Sequence, residues 1–166
     1  MTHDRLFVDV RPPADVLDVL AALPRPAEPG VRWVPPHQWH VTLRFLGRAE
    51  LGEVLDALRG VPLPPATAVL GPVVSRLGRS VVVVPVAGLD ELALVVREAT
   101  AGLGEPPDPR GFTGHLTLAR LKDRGACGVA GSPVSASFAV GEVELVSSTV
   151  RDSGAAHEVL ARFPVG

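Results

Sequence analysis

Two short segments of this chain nearly repeat each other: His40-Val41-Thr42-Leu43-Arg44-Phe45-Leu46 and His115-Leu116-Thr117-Leu118-Ala119-Arg120-Leu121. Each reads His-x-Thr-Leu inside an apolar, β-rich run, and the histidines are 75 residues apart in a chain of 166. A spacing so close to half the length predicts a duplicated half-domain that brings the two histidines together. On a strand, residues i and i+2 share a face. His40 with Thr42, and His115 with Thr117, therefore each offer an imidazole and a hydroxyl to one groove. The opposite, core-facing side carries Val41, Leu43 and Phe45 in one strand and Leu116 and Leu118 in the other. Arg120 lies five residues after His115, the wrong face of a flat strand, and joins the groove only if the strand bulges, twists or ends there.

The segments around the repeat read as alternating short strands and helices. Leu6–Val10 is a β-rich run closed by Arg11-Pro12-Pro13. Ala14–Leu23 carries Val16, Leu17, Val19, Leu20 and Leu23 at helical spacing between Pro13 and Pro24. Val31–Val34 predicts a strand stopped by Pro35-Pro36, and Ala49–Leu58 a helix that ends at Gly60. Ala66–Leu77 and Ser80–Val86 are β-branched runs joined by Gly78-Arg79, a hairpin signal. A third helix is expected over Leu89–Leu103, and a Pro/Gly-rich loop, 104–111, leads to the second His-x-Thr strand. Val134–Val140 precedes a closing hairpin of Glu142–Val150 and Glu158–Phe163, with its turn at Asp152-Ser153-Gly154. This order favours an α+β fold with antiparallel sheets. A doubly wound nucleotide fold is disfavoured, since no Gly-rich phosphate loop follows the first strand.

Hydrophobic residues make up 46% of the chain, enough for a core, in runs far short of the ~18 apolar residues that cross a membrane. No secretory signal is visible, and Cys127 stands alone between Gly125-Ala126 and Gly128, so it reads as a bystander in a cytoplasmic protein. The net charge of −2 argues against a broad basic face for long duplexes, though not against a local basic pocket. All basic residues but Lys122 are arginine, a bias that lowers the weight of any single one.

Two imidazoles in one pocket suit acid–base cleavage of a phosphate ester: one takes a proton from the nucleophile and the other gives one to the leaving oxygen. With an ordinary pKa of ~6.5, both protonation states of histidine are populated near neutrality. A structural duplication without chemistry would leave the same pattern. A zinc site is a weaker rival, because neither motif has His-x-x-x-His spacing or a carboxylate or cysteine within it. Of the other histidines, His3 is at a terminus expected to be mobile and His37 in a loop beside the first motif. His157, in the last hairpin, reaches the groove only if tertiary structure carries it there. Trp33 and Trp39 flank the first motif, with core packing the default for both and base stacking the alternative for a tryptophan on the rim.

With Arg5-Leu6-Phe7-Val8 as an opening strand, Trp33-Val34 before the first motif, Phe-Leu-Gly after it, and Phe112-Thr113-Gly114 before and Ala119-Arg120 within the second, the chain resembles the two-histidine phosphoesterases over nearly its whole length. Within them it is similar to the LigT-like RNA 2′,3′-cyclic phosphodiesterases. The resemblance implies a single domain spanning residues 1–166: a bilobed, duplicated α+β fold with two antiparallel sheets facing a central cleft. It implies no metal and no cofactor. By the same resemblance His40 is the general acid at the ribose 3′-oxygen and His115 the base that activates water. Thr42 and Thr117 are phosphate donors, Arg120 clamps transition-state charge, and Phe45 stacks on the terminal base. The expected partners are RNA ends or nucleotides bearing a 2′,3′-cyclic phosphate, met by a monomer away from membranes. The product is a 2′-phosphomonoester, and reversible 2′-5′ RNA ligation follows if a 5′-hydroxyl replaces water. Action on small cyclic nucleotides, or binding of RNA ends without turnover, are the alternatives. The chain departs from the family pattern where Gly114 replaces a frequent proline, which is expected to loosen that loop. It departs again where His157 occupies the region of a common tyrosine.

Overall fold

Proline and glycine punctuate the apolar runs, and the strands and helices of the computed structural model, which describes residues 1–122, 127–152 and 154–166, form between them. In chain order these are β1 (Thr2–Val10), α1 (Ala14–Ala21), β2 (Val31–Trp33), β3 (Val41–Glu50), α2 (Leu51–Arg59), β4 (Thr67–Leu70) and β5 (Ser75–Leu77). There follow β6 (Val81–Ala87), α3 (Asp90–Ala99), β7 (His115–Leu121), β8 (Ala136–Ala139), β9 (Glu142–Arg151) and β10 (Gly154–Pro164). A single 3₁₀ turn, Pro36–Gln38, precedes the first motif. The Gly78-Arg79 and terminal hairpins form as expected, although Ser153 of the latter's turn lies outside the described residues, as do Gly125 and Ala126.

Several element bounds differ from expectation, among them that the second helix starts at Leu51, with Ala49 and Glu50 in β3, and that the last strand starts at Gly154. β1 begins at Thr2, so His3 is no loose end: it pairs with Ala49 on β3, and the N-terminal ammonium contacts Glu50. The Ala66–Leu77 run splits into β4 and β5 at Gly71-Pro72, because Pro72 has no N–H to continue a ladder. Gly71 adopts φ +113°, with the Val134 carbonyl where a side chain would stand. α3 ends at Ala99 rather than Leu103, where a buried arginine takes over its C-terminus.

All strand pairs are antiparallel. The described strands form one ten-stranded sheet in the order β10-β9-β1-β3-β7-β6-β4-β8, with β2 paired to β7 and β5 to β6, rather than the two separate sheets expected. Its two halves meet at one residue pair, Val41 opposite Leu116, immediately after each motif histidine. The halves do not divide the chain at its middle: β9 and β10, from the C-terminus, complete the half begun by β1 and β3. β1 thereby has a partner on both edges.

Each helix buries residues spaced four apart: Val16 and Leu20 in α1, Val54 and Leu58 in α2, Leu92 and Val96 in α3. Burying each such side chain contributes about 1.5–3 kcal/mol. The expected core residues Val41, Leu43, Leu116 and Leu118 are all buried. Arg44, 4% exposed, inserts its guanidinium at the end of α3 and donates to Thr100 Oγ1, the Leu103 carbonyl and the Phe45 carbonyl. A cation is favourable at a helix C-terminus, where carbonyls lack partners, so Arg44 fastens α3 to β3 without a carboxylate. Among the described residues no helix is long and apolar enough to cross a membrane.

Candidate active site

Both motifs enter the site through the same local geometry. His40 immediately precedes β3, and its Nδ1–H donates to the Gln38 carbonyl at 2.6 Å. His115 opens β7, and its Nδ1–H donates to the Thr113 carbonyl at 2.7 Å. A carbonyl only accepts, so in each ring Nδ1 carries the hydrogen and Nε2 is the atom free for chemistry. Thr42 Oγ1 lies 3.0 Å from His40 Nε2 and donates to it when the ring is neutral.

Each strand then bulges. On β3, Val8 of β1 faces Arg44 but Asp9 faces Thr42, which leaves Leu43 as an extra residue. Leu43 and Arg44 both turn inward, and Phe45 emerges 41% exposed on the side of Thr42. This corrects the placement of Phe45 in the core. On β7, Val83 of β6 faces Thr117 and Val82 faces Ala119, so Leu118 is extra. Leu118 and Ala119 are buried and Arg120 emerges on the side of Thr117. One extra residue resets the two-residue alternation, which is the condition Arg120 needed.

The outcome is a cleft of about 510 Å³ lined by His40, Thr42, Phe45, His115, Thr117 and Arg120 together. All six residues expected in the site reach it. Further side chains not expected there also reach it, among them Arg5, Arg32, Phe7 and His157. Arg5 and Phe7 were legible, because they alternate on β1, and Arg5 lies over the Phe45 ring at 5.7 Å. His157 arrives on β10, edge-on to His40 with ring centroids 5.6 Å apart, while Phe7 stacks on His40 at 5.1 Å. Trp33 also lines the cleft, tied by its Nε1–H to the Pro26 carbonyl, whereas Trp39 is core. His37 stays outside; its carbonyl accepts from Arg11 at 2.6 Å. A Cβ at Gly114 would lie 2.1 Å from the Val86 carbonyl, so glycine there permits a close strand approach.

The electrostatics are one-sided. Among the described residues three arginines and three histidines line the cleft, and no aspartate or glutamate does, in a chain whose net charge is −2. A larger groove of about 1150 Å³ adjoins it at Thr42, Phe45 and His115, where Arg44, Arg97 and Arg110 are mixed with Asp90 and Asp108, so the charge of the smaller cleft is the more one-sided. Burial pushes His40 down to about 4, and the nearby His157, Arg11 and His115 push the same way, against the Gln38 carbonyl. His157 is lowered by burial and by Arg11, His37 and Arg5. Behind the cleft, β1 carries Asp9 opposite Glu144 of β9, both buried. Burial and the Glu144 charge raise Asp9 to about 8.

Residues 8–75 match the family described as LigT like Phosphoesterase. The fold is similar to that of the protein TT0787 of Thermus thermophilus, 28% identical, with 97% of each chain covered and a TM-score of 0.77. It is similar to a structure described as a phosphoesterase, 27% identical, with 98% of each chain covered and a TM-score of 0.80. E. coli LigT in complex with 3′-AMP is 25% identical, with 98% of each chain covered and a TM-score of 0.77. No curated protein matches the sequence.

Proposed function

We propose that this chain, similar to the LigT-like two-histidine phosphoesterases, hydrolyses terminal 2′,3′-cyclic phosphates of RNA to 2′-phosphomonoesters. The observation that carries the reading is the cleft itself: two imidazoles held at Nδ1 by matching backbone carbonyls, lined by arginines and, among the described residues, by no carboxylate. Crystal structures of E. coli LigT with 3′-AMP, ATP, NADP+ and phosphate support a nucleotide phosphate as the occupant.

In the proposed reaction His115 takes a proton from water, whose oxygen attacks phosphorus. The bond from phosphorus to the 3′-oxygen breaks, and His40 gives its Nε2 proton to that oxygen. The 2′-ester remains, leaving a free 3′-hydroxyl and a 2′-phosphate. Arg120 holds two non-bridging oxygens through its planar fork, Thr42 and Thr117 donate to the same group, and Phe45 stacks on the base. Burial leaves His40 without its acid proton at neutral pH in the empty cleft, so the acid role requires a bound phosphate anion to restore it. The reading takes all 166 residues as one catalytic domain acting as a monomer.

Incubating the purified protein in EDTA with an RNA ending in a 2′,3′-cyclic phosphate tests this. Conversion to a 2′-phosphate end is expected. Tight binding with no conversion would instead mark an RNA-end-binding module, and turnover confined to mononucleotides a small-molecule phosphodiesterase.

A further inference from the structure

Arg32 has no role in the reaction just described, yet it stands directly opposite Arg120. The two are register partners across β2 and β7, and both line the cleft. Side chains so paired have Cβ atoms about 4.5–5.5 Å apart, and like charges placed directly opposite each other are destabilising. No carboxylate hydrogen-bonds or ion-pairs with either guanidinium among the described residues, and none lines the cleft. The Arg32 head is also confined: one of its terminal nitrogens lies 3.1 Å from where a Cβ on Gly154 would stand, so the tip of the β9–β10 hairpin closes over it. The antiparallel crossing at Val41 and Leu116 puts Phe45 at one end of the cleft and the Arg32–Arg120 pair at the other, with the histidines between.

One reacting phosphate monoanion needs one guanidinium fork. We propose that Arg32, paired with Arg120, binds a second phosphate group, so that the cleft selects ligands carrying two phosphates over nucleoside 2′,3′-cyclic monophosphates. The proposal rests on the hydrolase reading for the position of the first phosphate. The second phosphate has two possible sources of the same chemistry, the 5′-phosphate of the terminal nucleotide or a linkage in a second RNA strand. Its attraction to Arg32 relieves the repulsion between the two arginines.

The test is calorimetric binding at fixed ionic strength, which needs no turnover. In the first arm, adenosine 2′,5′-bisphosphate is compared with 2′-AMP; in the second, the 5′-hydroxyl dinucleotide ApA is titrated into protein saturated with 2′-AMP. The wild type is expected to favour the bisphosphate at least about tenfold, or to bind ApA in the second arm, one charge-assisted contact giving a gain of that order. Arg32→Gln should bring that ratio to near unity, or abolish ApA binding, while Arg120→Gln weakens 2′-AMP as well. Arg32→Gln should also melt no lower than wild type, because it removes a like-charge pair. An Arg32-dependent gain in the first arm puts the second phosphate on the same nucleotide, and one in the second arm puts it on a second strand. No Arg32-dependent gain in either arm overturns the proposal. Failure of the wild type to bind 2′-AMP at all overturns the hydrolase reading first, and the second-phosphate site with it.

Discussion

The β3 and β7 half-sites share a backbone and differ in chemistry. Each presents a histidine fixed through Nδ1 by the carbonyl two residues before it, a threonine two residues on, and a residue five positions on that one bulge turns into the cleft. That last residue is Phe45 in one half and Arg120 in the other. The surroundings diverge as well. His40 is wedged between Phe7 and His157 and held down to about 4, while the same ring contacts and burial do not enclose His115. The repeated backbone supplies position, and the neighbours of each copy differ: Phe45 lies on one side of the cleft and Arg120 on the other, and burial depresses His40.

The strongest way to break the comparison is to remove the histidines. His40→Ala and His115→Ala should each cut turnover by about 10²–10⁴-fold, and the double variant should be scarcely worse than either, because proton transfers that act as a unit do not give additive losses. Near-normal rates in either folded variant would remove that half from the mechanism. Next come the residues that distinguish the halves. Arg120→Lys should lower kcat by roughly tenfold or more without unfolding the protein, since an ammonium cannot reproduce the two-oxygen fork. Phe45→Leu should raise KM for RNA ends by about fivefold to a hundredfold at little cost in melting temperature, as expected for loss of a stacking contact of ~1–3 kcal/mol. A large drop in melting temperature with KM intact would return Phe45 to the core.

The depressed pKa of His40 has its own signature. If His40 is the acid, 2′-AMP binding near pH 7 should take up a proton, read as a dependence of the calorimetric heat on buffer ionisation enthalpy. His40→Ala should abolish the uptake. No uptake in the wild type would move the acid role to His115. The smallest effect concerns stability on the β3 side, where two buried groups oppose each other. His40 is depressed, so its contribution is present above the ordinary histidine value of 6.5 and lost as pH falls toward 4. Asp9 is raised to about 8, so its contribution is present below the ordinary carboxylate value and lost as pH rises through 8. Between pH 6.5 and 8 only the Asp9 effect remains. Stability should fall there by at most about 1.4 kcal/mol per pH unit, and Asp9→Asn should flatten the decline in denaturant titrations.

How much of this was legible depends on the range of the interaction that decides each feature. The positions of the helices and hairpins, though not all their ends, are legible because apolar spacing and Gly/Pro punctuation are local. The close approach of the Val86 carbonyl to Gly114 is not legible in the sequence because it comes from a strand remote along the chain. His157 was left undecided for the same reason. Its place beside His40 follows from β10 pairing with β9 and β9 with β1, two ladders that link the C-terminus to the N-terminal strand.

By itself the sequence determined the paired histidines, the threonines two residues beyond them, and the antiparallel α+β class, because these follow from residue type and a period of two or 3.6. Only the tertiary structure decided which way Phe45 and Arg120 face. A bulge inserts one residue into one strand of a pair, so its existence depends on the register with a partner strand and leaves no mark in the alternation of a single strand. The depth of His40 and the opposition of Arg32 to Arg120 are likewise properties of packing between segments. Burial and charge pairing are set by what arrives from elsewhere in the chain.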